Sequence, residues 1–390
     1  MLSRVRAAEA LEAEREGLLR AAHDSNQAAE RHGEALGEML TLSAAELNDR
    51  LGGVPWPGAR PTSDFDQNGG LIRFPHQWKS AEEARGWALE KLRGVPTAAV
   101  DGSQIAASRE FGVPVSLVQI GWFLNPHDGE KPYIKDVHNI ILPPEGSSEG
   151  EEFASVESRV NRSRFIAEMD AACAQVQALR GLDPPAVVFF DGTFVLSFAG
   201  RIPPAARAGY LQALFRLLDA SRECRVPVVG YVDLSLATDL ITMLRTAFEV
   251  PEGNVHDAQI LAPRLDPFDR CAAFISARRD ILPQYKTEER NYGADLAFVY
   301  LQTGRGRAPA RLDLPVWIVE DGLLEHVLDV VRAEIVVGSG YPYALETADV
   351  TALLTTEDRL AFFRMFGDFA SDAGLQTTMP AKSASKGRRR

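Results

Sequence analysis

The sequence predicts an α/β fold, with a mixed sheet flanked by helices and a long helical extension at the N-terminus. Three observations predict this fold. Residues 2–40 are rich in Ala, Leu, Glu and Arg and contain no proline. Three strand-like runs then follow one another directly, and helix-like and strand-like segments alternate after them. Consecutive strands followed by alternating helices and strands are typical of a mixed sheet that is covered by helices.

The composition excludes several classes of protein. Of the 390 residues, 45% are hydrophobic and 25% are charged, as is usual for globular proteins. No run reaches the ~18 apolar residues of a membrane span, and the acid-rich N-terminus is unlike a secretion signal, so we expect a cytoplasmic protein without a membrane partner. The cysteines at 173, 224 and 271 are too far apart for a zinc site. Any metal site must therefore be built from oxygen ligands.

The N-terminal part is predicted to be helical and then irregular. Leucines recur at near-helical spacing through residues 2–40, which predicts one helix that packs against another chain or along its own domain. Prolines and glycines predict irregular structure over residues 52–76. Acidic residues after Ser80 begin a second helix, which ends near residue 92.

The rest of the chain supplies the sheet and the helices around it. The expected strands are residues 97–101, 113–123, 133–142, 186–190, 226–232, 274–277, 295–302 and 311–319. The expected helices are residues 152–180, 203–223, 235–248, 322–336, 344–351 and 357–369. Three antiparallel strands followed by alternating units describe a ribonuclease H-like sheet. We expect a helical extension and linker over residues 1–93, the ribonuclease H-like domain over residues 94–370, and a basic, disordered tail over residues 371–390.

Two Asp-Gly pairs follow apolar runs and indicate a metal site. Asp101-Gly102 and Asp191-Gly192 each place an aspartate at a predicted strand end, before a glycine that permits a sharp turn. An aspartate held there suits a divalent cation, and the two can share an ion if their strands are neighbours. The alternative is that each pair is only a turn whose aspartate caps the next element.

Hydrolysis of a phosphodiester with two oxygen-bound cations needs three or four carboxylates from different elements. The helix over residues 152–180 supplies Glu168 at the edge of its predicted buried face, and Arg164, one turn earlier, can meet a phosphate. Glu168 could instead be a surface acid paired with Arg164. Asp349, two turns inside a short helix, is a fourth candidate ligand unless it is an ordinary surface acid. Asp233, after a buried strand, is a further possibility.

Other functions have less support. The sequence contains no GxSxG elbow, no P-loop and no GxGxxG motif after a strand, so serine hydrolases and nucleotide-binding enzymes have no motif here. The formal net charge of −12 counts against a nonspecific nucleic-acid binder. A local groove can still be basic on an acidic protein.

Five short motifs occur in the order seen in the NurA nuclease family, which the chain resembles over about residues 95–365. They are Val100-Asp101-Gly102-Ser103-Gln104, Phe190-Asp191-Gly192-Thr193, Val229-Gly230-Tyr231-Val232, Ala310-Arg311-Leu312-Asp313-Leu314-Pro315-Val316-Trp317 and Gly340-Tyr341-Pro342-Tyr343. The resemblance implies a ribonuclease H-like nuclease that uses manganese, with magnesium as the alternative ion. It also implies 5′ to 3′ cleavage from DNA ends, cleavage of single strands, a homodimer, and a hexameric HerA-type ATPase as partner in DNA end resection and repair.

The resemblance also implies roles for individual residues. By position, Asp101 and Asp191 correspond to the family's strand-end acids, and Glu168 is similar to its helical glutamate. The glutamates at 151, 152 and 157 are nearby alternatives to Glu168. Archaeal relatives tend to carry histidine where this chain has Asp349, and lysine near Asp233, so the ligand at 349 and any phosphate contact at 233 differ here.

From these observations we expect Asp101, Glu168, Asp191 and Asp349 to hold the metal ions, with water as the nucleophile. Arg164, Arg305 and Arg307 are expected to line a local channel for DNA, and binding without the ATPase is expected to be weak. Two alternatives stay open. The chain could be a catalytically silent adaptor that docks on the ATPase. It could also be a ribonuclease, since discrimination between DNA and RNA depends on the geometry of contacts to the 2′-hydroxyl.

Overall fold

Helices and strands alternate along the chain. The computed structural model describes residues 2–106, 115–143 and 153–375. The helices within these ranges are α1 (Arg4–Ala13), α2 (Arg15–Met39), α3 (Ala44–Leu51), α4 (Ser63–Asn68), α5 (Ala81–Leu92), α6 (Phe153–Ala178), α7 (Pro204–Cys224), α8 (Asp239–Phe248), α9 (Asp257–Leu261), α10 (Trp317–Glu320), α11 (Leu324–Val337), α12 (Tyr343–Ala352) and α13 (Thr356–Asp372). The strands are β1 (Gly58–Pro61), β2 (Leu71–Ile72), β3 (Thr97–Ile105), β4 (Ser116–Asn125), β5 (Ile134–Leu142), β6 (Val187–Asp191), β7 (Val228–Val232), β8 (Arg270–Cys271), β9 (Phe274–Ala277), β10 (Leu296–Leu301) and β11 (Ala310–Pro315). None of the described helices is long and apolar enough to cross a bilayer.

The chain divides into two compact units that are interleaved in sequence. The first unit comprises Met1–Ala81, Gly192–Ser197 and Gly230–Leu328, and the second comprises Glu82–Asp191, Phe198–Val229 and Asp329–Arg390. The sequence predicted consecutive segments, and those boundaries stay a prediction. The predicted disordered tail begins two residues too early, because Ser371 and Asp372 are the last residues of α13, and residues 376–390 lie outside the described residues.

The first unit contains the N-terminal helices and an antiparallel set of strands. β1 pairs with β9, β9 with β10, β10 with β11, and β11 with the end of β7. The predicted single N-terminal helix is divided at Glu14, where the backbone leaves helical geometry. α1 buries no side chain, whereas α2 buries Leu36 and Met39 because it contacts α8 and α9.

The prediction of irregular structure over residues 52–76 is wrong for three short segments. β1 forms because its residues pair with β9, and β2 pairs with β8. Thr62 caps α4 between them, since its hydroxyl accepts a hydrogen bond of 3.3 Å from Asp64 N. Strands of two to four residues that are formed by distant partners leave no periodicity in the sequence.

The second unit contains the predicted meander and a parallel neighbour. β3 pairs antiparallel with β4, β4 pairs antiparallel with β5, and β3 pairs parallel with β6. The apolar start of β3 is completely covered, with Ala98, Ala99 and Val100 at most 1% exposed. α6 and α12 both contact β3 and β4. The centre of this unit is therefore the strand that carries Asp101.

Candidate functional site

Two aspartates predicted as ligands lie at the same level of neighbouring strands. β3 and β6 run parallel, and their register pairs Val100 with Phe190. Asp101 and Asp191 are the next residues along the two strands. Side chains at one level of adjacent parallel strands point to the same face, and the backbones lie about 4.8 Å apart. The predicted adjacency is confirmed, and the role of both residues as metal ligands stays a prediction.

The glycine of the first Asp-Gly pair makes no turn. β3 continues through Asp101 and Gly102 to Ile105, paired with β4 throughout, so the predicted strand end at Asp101 is wrong. A Cβ at Gly102 would lie 2.4 Å from Glu168 Oε1 and 2.9 Å from Arg164 Cγ. Glycine is needed here because α6 approaches the strand closely.

The second Asp-Gly pair, Asp191-Gly192, ends a strand and begins a turn, as predicted. The turn from Gly192 onward belongs to the first unit. β6 ends at Asp191, and Gly192 has a φ of 146°, a conformation that favours glycine. Asp313 Oδ2 accepts a hydrogen bond from the Thr193 hydroxyl and another, of 3.0 Å, from the backbone N–H of Phe194. Arg311 Nε donates to Asp313 Oδ1 at 2.7 Å. The sequence contained Asp313 only as a member of a family motif, and the structure shows that it holds the turn after Asp191.

Glu168 enters the site from α6 and is buried. It is only 6% exposed, so it lies on the buried face of the helix and not at the predicted edge, and the alternative of a surface acid is wrong. Arg164 Nε lies 3.6 Å from Glu168 Oε1, which is too long for a hydrogen bond. Arg164 Nη1 donates instead to Gly102 O at 2.9 Å. This bond attaches α6 to β3 beside Asp101.

Asp349 approaches Asp101 from the other face of β3. Gly121 on β4 lies opposite Asp101, and a Cβ there would be 2.6 Å from Ala352 N at the end of α12. Gln119 Nε2 donates to Ala352 O at 3.0 Å. The helix therefore lies directly on the strands, and the exposed Asp349 carboxyl forms a hydrogen bond with the carboxyl of Asp101.

The pKa values of Asp101 and Glu168 are raised. Burial raises the pKa of Asp101 to about 6, a hydrogen bond from the Gly102 backbone opposes this, and the charges of Asp349 and Asp191 add to it. Burial also raises the pKa of Glu168 to about 8. The guanidinium of Arg164 lowers the pKa of Glu168, and Asp101 and Asp191 raise it. Asp101 and Glu168 thus lie beside other carboxyls, and Arg164 is the arginine that opposes the shift of Glu168.

The donor chemistry of these residues fits a hard divalent cation. All four side chains offer carboxyl oxygens, which are the ligands that magnesium and manganese prefer. They do not converge on one point, because no three His, Cys, Asp or Glu side chains in the described ranges are placed to hold one ion. Glu168 lies over Gly102, on the opposite face of β3 from Asp349. Binding an ion through three of these carboxyls therefore requires side chains to rotate.

A buried glutamate that the sequence did not identify connects the strand of Asp101 to the helix of Asp349. Glu334, on α11, is 1% exposed. Its Oε1 accepts a hydrogen bond of 2.7 Å from the hydroxyl of Thr97, at the start of β3. Its Oε2 accepts one of 2.8 Å from Ala344 N, in the first turn of α12. One carboxylate thereby sets α12 relative to β3. No sequence signal marks it, since it lies inside an ordinary amphipathic helix.

The remaining predicted residues lie elsewhere. Arg305 and Arg307 are exposed on the turn between β10 and β11, in the first unit. Asp233 is exposed in the same unit, 3.4 Å from the hydroxyl of Tyr231. Of the alternative glutamates, Glu157 is exposed on α6, and those at 151 and 152 lie outside the described residues.

Known proteins provide comparisons of sequence and fold. The NurA domain family model matches residues 95–352. The NurA nuclease from Sulfolobus solfataricus has 13% identity and a TM-score of 0.53, with 95% of this chain and 98% of that chain covered. A NurA structure with manganese has 9% identity and a TM-score of 0.41, with 68% and 87% covered. The catalytic domain of human Endonuclease V has 14% identity and a TM-score of 0.33, with 79% and 93% covered. No curated protein sequence matches the chain.

The likeness to the Sulfolobus structure concerns the fold. It extends over nearly the whole of both chains. Together with the strand pairings, it confirms the predicted ribonuclease H-like mixed sheet flanked by helices.

Proposed function

Because the chain belongs to the NurA family, as the match over residues 95–352 establishes, we propose that it is a metal-dependent nuclease that hydrolyses phosphodiester bonds in DNA. One observation carries the proposal. Asp101 and Asp191 lie at one level of adjacent strands, and Asp349 is hydrogen-bonded to Asp101. A buried strand holds Asp101 rigidly, as a catalytic carboxylate requires.

The cation we propose is manganese, with magnesium as the alternative. Asp101, Glu168, Asp191 and Asp349 would hold it. When bound, a pair of such ions supplies activation of a water molecule and stabilisation of the leaving oxygen. The support is that all four donors are oxygens and that Asp101 interacts electrostatically with the other three.

Two residues of α6 have distinct roles in this proposal. The pKa of Glu168, about 8, lies above neutrality, so this side chain would have to give up a proton in order to hold a cation. Arg164 is fixed by its bond to Gly102 O, and its side chain is 39% exposed, so one side of the guanidinium is open to a phosphate oxygen.

The finer parts of the proposal follow the family resemblance. We assign 5′ to 3′ exonuclease activity, endonuclease activity on single strands, a role in end resection and repair, and a cytoplasmic location. The partners are a second copy of the chain and a HerA-type hexameric ATPase. The net charge of −12 supports this assignment, because an acidic nuclease that receives DNA from a motor needs little affinity of its own.

The test is manganese-dependent cleavage of end-labelled DNA by wild type, Asp101→Asn and Asp191→Asn. Both changes keep the size of the side chain and remove its charge. We expect cleavage to fall by at least about 10³-fold while the circular dichroism spectrum is unchanged. Full activity in both variants would reject the assignment.

One observation favours a second candidate, the silent adaptor. No three carboxyls among the described residues are placed to share an ion. Absence of cleavage by the wild-type protein with manganese, alone and with the ATPase, would favour the adaptor. The ribonuclease alternative has the same acids, and cleavage of RNA in preference to DNA of the same sequence would favour it.

A further inference from the structure

An open cavity in the first unit is separate from the carboxyl site. Its volume is about 800 Å³, within the range of cavities that bind small molecules and cofactors. The turn between β10 and β11 forms one side, and the segment between β7 and α8 together with the start of α9 forms another. All of its lining residues lie between 234 and 308, within a single unit.

The charged side chains of the lining are mostly positive. Arg305 and Arg307 are exposed on the turn, and Gly306 between them has a φ of 72°. Asp266 is the acidic residue of the lining, and its Oδ2 lies 3.0 Å from Arg73 Nη1, an atom that also pairs with Asp269. A positive lining on a chain of net charge −12 indicates an anionic ligand.

The segment between β7 and α8 presents two leucines to the cavity. Leu234 and Leu236 are 69% and 66% exposed, whereas Ser235 between them is 4% exposed. The Ser235 hydroxyl lies 3.4 Å from the hydroxyl of Tyr300 and accepts a hydrogen bond from Ala237 N at 3.3 Å. The chain thus buries a serine and exposes its two apolar neighbours. Neighbouring exposed leucines in a cavity are typical of a binding surface.

His256 also lines the cavity and is held in place at the start of α9. Its backbone N–H donates to Gln259 Oε1 at 2.8 Å, and its side chain completes the capping box with Gln259.

We propose that this cavity binds a short stretch of single-stranded nucleic acid. Arg305 and Arg307 take the phosphates, and Leu234 and Leu236 contact the faces of the bases. A duplex does not present the faces of its bases, because they are stacked inside it, so the apolar part of the lining favours a single strand. The inference rests on the proposed nuclease function and adds a surface that holds the strand.

The test is binding of a fluorescein-labelled oligothymidylate, measured by anisotropy in EDTA so that no cleavage occurs. The first variant is Arg305→Ala/Arg307→Ala. Its control is Arg31→Ala/Arg279→Ala, which removes the same charge from two exposed arginines of the first unit that do not line the cavity. A second variant, Leu234→Ser/Leu236→Ser, changes only exposed side chains and leaves the net charge unaltered.

We expect the Arg305/Arg307 variant to bind at least about tenfold more weakly than its control, with the slope of log K against log salt reduced by about 1.4, since each phosphate contact to a single strand contributes about 0.7. The leucine variant should lose several-fold affinity without a change of slope. Equal losses in the arginine variant and its control, equal affinity for a duplex, or no binding by wild type would each overturn the proposal. Asp101→Asn should bind like wild type, so a failure of the nuclease assignment is recognised separately.

Discussion

The two units differ in what surrounds their buried acids: arginines pair with Asp64, Asp239 and Asp313 in the first unit, and other carboxyls lie beside Asp101 in the second. In the first unit, Arg270 Nη1 lies 2.6 Å from Asp64 Oδ2, and Arg311 donates to both Asp239 and Asp313 within 2.8 Å. In the second unit, the acids around Asp101 have Arg164 nearby, and it lies 3.6 Å from Glu168. Each of the three acids named in the first unit therefore has an arginine as its charge partner, whereas Asp101 has carboxyls as neighbours.

The pKa values follow this difference. Burial favours a raised pKa for Asp64, but the hydrogen bonds and charge of Arg270 outweigh it and leave the pKa lowered. Burial raises the pKa values of Asp101 and Glu168, and neighbouring carboxyls add to the effect. Unmatched carboxyls decrease stability, so a fold retains them where they have a further use. A raised pKa is not sufficient by itself, because Asp257, in the first unit, reaches about 7 with both oxygens hydrogen-bonded.

The largest expected effect separates the two kinds of acid. Asp64→Asn leaves the completely buried Arg270 with one fewer charge partner and should reduce the free energy of unfolding by about 3–5 kcal/mol. Cleavage by the folded fraction should be retained. Asp101→Asn should instead abolish cleavage and leave the free energy of unfolding close to that of wild type. Urea denaturation and DNA cleavage of both variants test this pattern, and equal loss of activity in both would break the distinction.

A second prediction concerns the close approach of α6 to β3. In Gly102→Ala the new Cβ collides with Glu168 and Arg164, which should reduce stability by about 1–3 kcal/mol and cleavage by about tenfold or more. Gly86→Ala is the matched control, because no atom lies within 4 Å of a Cβ there, on α5. That control should be neutral or stabilising. Wild-type behaviour of Gly102→Ala would show that α6 can move without consequence.

A third prediction concerns Glu334. Glu334→Gln replaces the charged acceptor of both Thr97 and Ala344 N–H with a neutral amide, which should reduce the free energy of unfolding by about 1–3 kcal/mol. Since α12 then loses part of its attachment, the manganese concentration for half-maximal cleavage should rise several-fold. Glu346→Gln, an exposed change on α12, is the control and should alter neither quantity. An unchanged manganese midpoint in Glu334→Gln would limit this residue to a stabilising role.

The smallest effect is a pH dependence of stability without metal. Burial raises the pKa of Glu168 from 4.5 to about 8, so the folded chain keeps a proton that the unfolded chain has released. Stability therefore falls as pH rises from about 4.5 to about 8. Glu168→Gln mimics the protonated form and should be more stable than wild type above this range, and equal to it below. Thermal unfolding in EDTA at both pH extremes checks the sign.

The sequence by itself determined the order of strands and helices, the meander followed by alternating units, and the two Asp-Gly pairs. It also offered Glu168 of α6 as one candidate among several glutamates. These features come from periodicities of two and of 3.6 residues and from turn residues, all of which act over a few positions. The adjacency of Asp101 and Asp191 was a condition of the hypothesis, because β4 and β5 lie between β3 and β6 in the chain, and the parallel pairing of β3 with β6 meets that condition.

Tertiary structure alone decided why position 102 is glycine, which acids are neutralised and how α12 is held. Gly102 avoids a collision with Glu168, a residue far along the chain, and no local pattern distinguishes this from a turn. Asp313 looked like Asp101 in the sequence, as an acid within an apolar strand, and differs because Arg311 and the turn after Asp191 surround it. Local chemistry fixes where a carboxyl lies along an element, and the partners that set its charge come from distant parts of the chain.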